Sequence, residues 1–297
     1  MDHPLVESVP NFSEGRRREV VEAIAAEARA FPVRVLDLHV DPDHHRSVLT
    51  FAGPPREVGE AAFAVARKAV ELIDLTRHRG QHPRMGAIDV LPFVPLGGAR
   101  MEDAVDLARR VGRRIGEELG VPVYLYEAAA LRPERRNLAD VRRPQFEGLR
   151  EEIARRPERA PDFGPCRLHP TAGAVAVGAR RPLVAFNMDL ETRDVSIARK
   201  IARKIRERDG GLPGIKALGL FLAERGCAQV SVNVCDFART GLKEVFQAVE
   251  DEARRLGTRV GSAEIVGLVP REALPFDAEH ALRLRGFSPF QILENRL

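Results

Sequence analysis

Two histidines, three arginines, two glycines and a proline fall within residues 74–86, DLTRHRGQHPRMG, and the apolar stretch AIDVLPFV follows at once. A histidine accepts protons near neutral pH with little tuning. Arg77, Arg79 and Arg84 disfavour the charged imidazole and keep it available as a base. The grouping suits proton transfer on a substrate that carries negative charge. The spacing of His78 and His82 would resemble a metal pair on a helix. Gly80 between them and Pro83 after them predict a loop instead, and no acidic third ligand lies near. For His82 two readings stay open, a general base or a bond to loop backbone. For His78 the backbone bond is preferred.

A second polar group is Asp41-Pro42-Asp43-His44-His45-Arg46, with His39 just before it. Asp43, His44 and His39 sketch a metal site, but adjacent side chains in a strand-like turn point to opposite sides. A solvated hairpin tip is expected. Arg46, opening the next strand, is a candidate clamp for a carboxylate, because a guanidinium binds one in a fork. A third group is Gly164-Pro165-Cys166-Arg167-Leu168-His169-Pro170-Thr171-Ala172-Gly173. Its prolines and glycines fix an irregular path and would admit a planar ligand close to the backbone; composition alone favours an ordinary interdomain linker. Asn187 and Asn233 interrupt apolar runs and, if buried, need partners. No GxxxxGK[ST] or GxGxxG fingerprint follows a strand, so nucleotide use has no support.

These groups need a scaffold, and 297 residues at 44% hydrophobic suit two compact units. The 47 basic and 43 acidic residues nearly cancel, to a net +4. Arginine is spread along the chain rather than clustered, which argues against nucleic acid. The odd count of cysteines, Cys166, Cys227 and Cys235, and the lack of a signal peptide predict reduced thiols in the cytoplasm. No apolar run approaches the roughly 20 residues that span a bilayer.

Alternation and helical spacing predict the order of elements. Leu5–Val9 is a strand and 11–15 a turn. Arg17–Ala30 is a helix, Val33–Val40 and Ser47–Ala52 form a hairpin, a long helix opens at Pro54-Pro55, and Ala87–Val94 is a strand. This is βαββαβ, the split ferredoxin-like arrangement. A helix over Met101–Leu119 and a strand over Val123–Tyr126 follow, then short surface helices across 128–161 and an irregular path up to Gly173. Leu183–Leu190, a helix from Asp194 to about Arg208, Lys216–Leu222, Ala228–Cys235, a helix through Leu242, Val245, Phe246 and Val249, and Glu264–Val269 repeat βαββαβ. The expected class is therefore α+β, two ferredoxin-like subdomains in tandem, 1–179 and 180–297. A groove between two open sheet faces is the natural place for a ligand.

Many of these segments are familiar together. VESVPNFSEGR at 6–16, RSVLTFAGPP at 46–55, LIDLTRHRGQHPRMGAIDVLPFVPL at 72–96 and VPVYLYEAA at 121–129 resemble glutamate formimidoyltransferases. So do APDFGP with HPTAGAVAVGARRPLVAFN at 160–187, AQVSVNVCDF at 228–237 and GSAEIVGLVP at 261–270. The resemblance runs in order through nearly the whole chain. It implies transfer of the formimino group of N-formimino-L-glutamate to N5 of tetrahydrofolate, in histidine breakdown, without a metal. It implies His82 as the catalytic histidine, Gly164–Gly173 as the folate-contacting segment, and a homodimer formed through the first subdomain. The chain stops at Leu297, so ring closure of the product is expected of a separate cyclodeaminase. Two departures stand out. His39 occupies a position that is acidic in some relatives, and Ala172 replaces an aromatic residue found in others.

In the implied mechanism a neutral His82 takes the proton from N5 and returns one to the leaving amine of glutamate, while a shared groove supplies orientation. Both substrates carry carboxylates, for which Arg46 and Arg180 are the nominated clamps. A formyltransferase, or another folate one-carbon transferase on this scaffold, is the nearest alternative. A ferredoxin-like RNA-binding module is disfavoured by two Tyr and no Trp. A metal hydrolase built on His39, His44 and His82 is a third possibility.

Overall fold

Apolar side chains at alternate strand positions, set against apolar helix stripes, build the first sheet. The computed structural model describes residues 4–79 and 83–297, and the chain divides into two units, Met1–Arg180 and Arg181–Leu297. In the first, β1 (Pro4–Ser8) and β2 (Asn11–Phe12) form one line broken at Val9-Pro10. Pro10 has no N–H to give, but its carbonyl accepts from Leu49 N–H at 3.1 Å. Then come α1 (Arg18–Arg29), β3 (Arg34–Asp41), β4 (Arg46–Gly53), α2 (Pro55–Leu72) and β5 (Ile88–Gly97). They are followed by α3 (Met101–Glu118), β6 (Val123–Glu127), α4 (Leu138–Val141), α5 (Gln145–Glu152) and β7 (Val175–Ala179).

Across the sheet β4 pairs with β3, then with β1 and β2, which pair in turn with β5; β7 and β6 follow. The first four places are the antiparallel ferredoxin-like order. The β7 strand is an addition that the sequence pattern does not announce. It runs parallel between β5 and β6, and all five of its residues are buried. A strand buried on both faces shows no alternation, which is why its small residues carry little signal. Helices α1, α2 and α3 cover one face, with Ile24, Val65 and Val111 in a core with Leu49, Phe51 and Phe93. On the opposite face Val141, Leu149 and Ile153 pack with Val90, Tyr124 and Tyr126.

The second unit runs β8 (Val184–Leu190), α6 (Val195–Ile205), β9 (Ile215–Leu222), β10 (Cys227–Val234), α7 (Leu242–Arg255), β11 (Val260–Val266) and the short α8 (Ala278–Ala281). Its strand order is β11-β8-β10-β9, antiparallel throughout. This is again the ferredoxin-like order, as the element pattern predicts. The last strand starts at Val260 rather than Glu264, because a register shift between Val260 and Ser262 breaks the alternation there. Gly219 lets α6 lie close on β9: a Cβ at that position would stand 2.3 Å from the Arg199 backbone nitrogen. Among the described residues no helix is long and apolar enough to cross a membrane.

Candidate active site

Asp74 caps a short 3-10 turn at Leu75–Arg77, its Oδ1 accepting from Thr76 N–H at 2.9 Å. From there to Ala87 the histidine loop is fastened at both ends to one distant segment. Leu75 N–H donates to Thr171 O at 2.9 Å, Ala87 N–H to Ala172 O at 2.8 Å, and Ala174 N–H to Met85 O at 3.0 Å. Two glycines make this approach possible. A Cβ on Gly86 would stand 1.8 Å from Ala174 O, and one on Gly173, whose φ is +70°, 2.3 Å from Met85 O. The structure thus joins two groups that the sequence offers separately, the histidine loop and the 164–173 segment. His82, the nominated base, lies outside the described residues, as do Gly80 and Gln81.

His78 is buried, and its ring is assigned by its neighbours. Arg84 Nε donates to His78 Nδ1 at 3.1 Å, so that nitrogen carries a lone pair, and Nε2–H is left to donate to His45 O at 3.1 Å. Burial pulls its pKa down to about 4, so the ring is a neutral structural donor and acceptor. The Nε2 contact is a bond to backbone, but to the 41–46 turn rather than to the histidine loop itself. His45 stacks on it with ring centroids 4.2 Å apart. His45 Nδ1 faces Arg79 O at 2.8 Å, and its Nε2 faces Glu14 Oε1 at 3.1 Å. Burial alone would raise the pKa of Glu14. The bonds from His45 and from the backbone N–H groups of Arg17 and Arg16 outweigh it and hold the carboxyl well below the usual range. The 41–46 turn is therefore no solvated tip. Asp43 and His44 are buried, and His44 Nδ1 lies 2.7 Å from Asp41 Oδ2. The turn packs so closely on Gly15 that a Cβ there would meet Asp41 O at 2.2 Å.

Along the second segment, Gly164 (φ +84°) sits against Gly116 and Val121. Pro165 is half-buried, Cys166 and Arg167 are exposed, and Leu168 packs against the core. Cys166 Sγ donates to Ile153 O at 3.1 Å. His169 Nδ1 accepts from Ala172 N–H at 3.0 Å, which requires its lone pair, and burial lowers the ring's pKa. Pro170 O accepts from Arg150 Nη2 at 3.3 Å, Thr171 is half-buried, and Ala172 and Gly173 are buried.

The third part of the site centres on Asp89, fully buried at the start of β5. Its Oδ2 accepts from Arg46 Nη1 at 2.8 Å and from Arg142 Nη1 at 2.7 Å, and its Oδ1 from Met85 N–H at 2.8 Å. Asn11 Oδ1 takes two further bonds from Arg46, at 3.1 and 2.9 Å. Burial pulls the Arg46 guanidinium down from its ordinary range, and Asp89 opposes the pull. Arg180 acts electrostatically on Glu7 and Tyr126, and Arg142 on Tyr126 as well. Arg46, Arg142 and Arg180 therefore share one electropositive neighbourhood. Within it burial pushes the Glu7 carboxyl up to about 7 and the Tyr126 phenol up to about 12. His39, opposite Val48 on β3, is half-buried.

Sequence reasoning did not pick out Arg142, Asp89 or Glu14. Asp89 had a visible signal, a carboxylate inside an apolar run. In the second unit Asn187 Nδ2 donates to Glu264 at 3.4 Å, a tie between β8 and β11. Arg225 bridges Asp189 at 3.1 Å and Glu264 at 3.2 Å, and Arg285 reaches Glu264 at 2.9 Å. Among the described residues no three His, Cys, Asp or Glu are grouped to hold a metal ion.

Tandem ferredoxin-like subdomains, with a histidine loop fastened to a glycine-flanked segment beside buried arginines, define an α+β protein with a candidate site in its first unit. Residues 5–180 match the formiminotransferase domain, N-terminal subdomain, and residues 185–289 match the formiminotransferase domain. The chain belongs to the formiminotransferase family. It is 46% identical over 295 residues to a glutamate formimidoyltransferase of Streptococcus pyogenes serotype M1, covering 99% of this chain and 98% of that one. It is 46% identical over 296 residues to a Thermoplasma acidophilum protein of the same name, covering 99% and 97%. A Sus scrofa formimidoyltransferase-cyclodeaminase is 45% identical over 278 residues, 91% of this chain and 51% of that protein.

Proposed function

We propose that the protein transfers the formimino group of N-formimino-L-glutamate to N5 of tetrahydrofolate, releasing L-glutamate and 5-formimino-tetrahydrofolate. The observation that carries this reading is the fastening of the histidine loop to the 164–173 segment, at Leu75–Thr171, Ala87–Ala172 and Ala174–Met85. It holds both ends of the loop whose sequence includes His82 beside the segment nominated for the folate. A bond forms between N5 and the amidine carbon, and the bond from that carbon to the glutamate nitrogen breaks. N5 loses a proton and the departing nitrogen gains one. His82 is assigned both transfers, first as base and then as acid. Arg46 and Arg180 are assigned the glutamyl carboxylates. The names of the bifunctional relatives support passage of the product to a cyclodeaminase, and a cytoplasmic homodimer belongs to the same proposal.

The test is turnover of formimino-glutamate with tetrahydrofolate by wild type and His82→Ala. The expected loss in kcat is on the order of 10²–10⁴, with little turnover of formyl-glutamate by the wild type. A variant at normal speed removes the role given to His82, and preference for the formyl donor removes the formimino assignment.

A further inference from the structure

Arg142 follows α4 in the arginine-rich 128–161 stretch, and its surroundings are unusual for a structural arginine. Its side chain is only 14% exposed. A guanidinium has five N–H donors, yet among the described residues Arg142 hydrogen-bonds through Nη1 alone, to Asp89. Its Nε is buried without a partner. Leaving a buried donor unsatisfied is costly, more so on a charged group. The Asp89 oxygen that accepts from Arg142 also accepts from Arg46. Arg142 thus shares its one carboxylate oxygen with a second guanidinium. The second unit offers a contrast: Arg225 and Arg285 meet Asp189 and Glu264, two charges against two.

We infer that Arg142, held beside Arg46 by Asp89, forms a subsite for a glutamyl carboxylate. This deepens the formimino-transfer reading and rests on it for the identity of the ligand. A carboxylate accepting from Arg142 would satisfy the orphaned Nε–H and give the guanidinium an anion of its own. Asp89 fixes the position of both forks and keeps them apart from each other's charge. Both substrates of the proposed reaction carry such a carboxylate, the donor on its glutamate and the folate on its tail.

The test compares wild type, Arg142→Gln and Arg142→Lys. The donor is varied from N-formimino-L-glutamate to its α-amide and γ-amide, and the acceptor from tetrahydrofolate to tetrahydropteroate. In Arg142→Gln the KM for one substrate is expected to rise on the order of ten- to hundredfold, by a larger factor than kcat falls. Arg142→Lys recovers part of the loss. Against the analogue lacking the gripped carboxylate, wild type and Arg142→Gln become equal, which tells donor from folate tail. Unchanged KM values, or a penalty that persists at full size against every analogue, overturn the inference. Calorimetric titration with L-glutamate and with pteroylglutamate keeps the two claims separate. If the wild type fails to turn over formimino-glutamate, the reaction assignment falls, and loss or retention of carboxylate binding in Arg142→Gln still decides the subsite. Should Arg142→Gln lose its melting transition, Arg142→Lys carries the same comparison.

Discussion

The imidazoles of His45 and His78 lie face to face, 4.2 Å between centroids and 8° from parallel, although one belongs to the hairpin turn and the other to the histidine loop. Ring stacking and the bond from His78 Nε2 to His45 O join the two turns. Arg84 extends the join, since it donates to His78 and pairs with Glu147 of α5. The loop is thus braced from one side by the hairpin and from the other by the helical segment that carries Arg142 into the site.

Replacing His78 with Phe keeps a flat ring for the stack and removes both hydrogen bonds. Arg84 Nε and His45 O each lose a partner, at a cost of about 1–3 kcal/mol. Urea unfolding should show the midpoint moving down with an unchanged slope. A midpoint that stays put would mean that the stack alone holds the turns together.

Two opposed titrations should act on stability over nearly the same pH range and largely cancel in the wild type. His78 has its folded pKa depressed to about 4 from 6.5. Its contribution is present above the unfolded value and is lost as pH falls through the folded one. Glu7 has its folded pKa raised to about 7 from 4.5. Its contribution is present below 4.5 and is lost as pH rises through 7. At pH 8 the buried carboxylate costs roughly 3 kcal/mol. Glu7→Gln should therefore raise the melting temperature at pH 8 far more than at pH 5. Equal shifts at both pH values would refute the assignment.

Gly86→Ala forces a methyl group to within 1.8 Å of Ala174 O. Backbone must move, which in packed cores costs about 1–3 kcal/mol and occasionally more. The variant should lose both thermal stability and affinity for folate, because the same displacement parts the loop from the 171–174 stretch. Gly120→Ala supplies the control: nothing stands within 4 Å of its Cβ, and only its φ of +64° is strained.

His169→Ala deletes the acceptor for Ala172 N–H. The turn from His169 to Gly173 should loosen, raising the KM for tetrahydrofolate several-fold while leaving that for the donor nearly unchanged. Parallel rises in both would point to a general loss of structure.

Much of this molecule can be read from residue order, and the exceptions have physical causes. The two βαββαβ patterns are visible because their helices each keep one face exposed, which imposes a period. Strand β7 is buried on both sides, so Val175–Ala179 shows no period at all. Arg142 is hidden for another reason: it sits among many arginines whose ordinary role is a solvated ion pair, and only Asp89, far off in sequence, sets it apart. The hairpin turn looked solvated because Asp, His and Arg are polar. It is buried because Asp41, Glu14 and Gly15 supply partners and room that no local window reveals.

The fastening of the histidine loop to residues 171–174 also sets a schedule for the nascent chain. Contacts between positions so far apart form late and slowly. While the ribosome is still adding the 128–161 stretch, residues 75–87 have neither Thr171 nor Ala172 to bond and no β7 beside β5. Closure of the histidine loop on this segment must therefore wait until translation has passed Ala179, however early the ferredoxin-like strands of the first unit have paired.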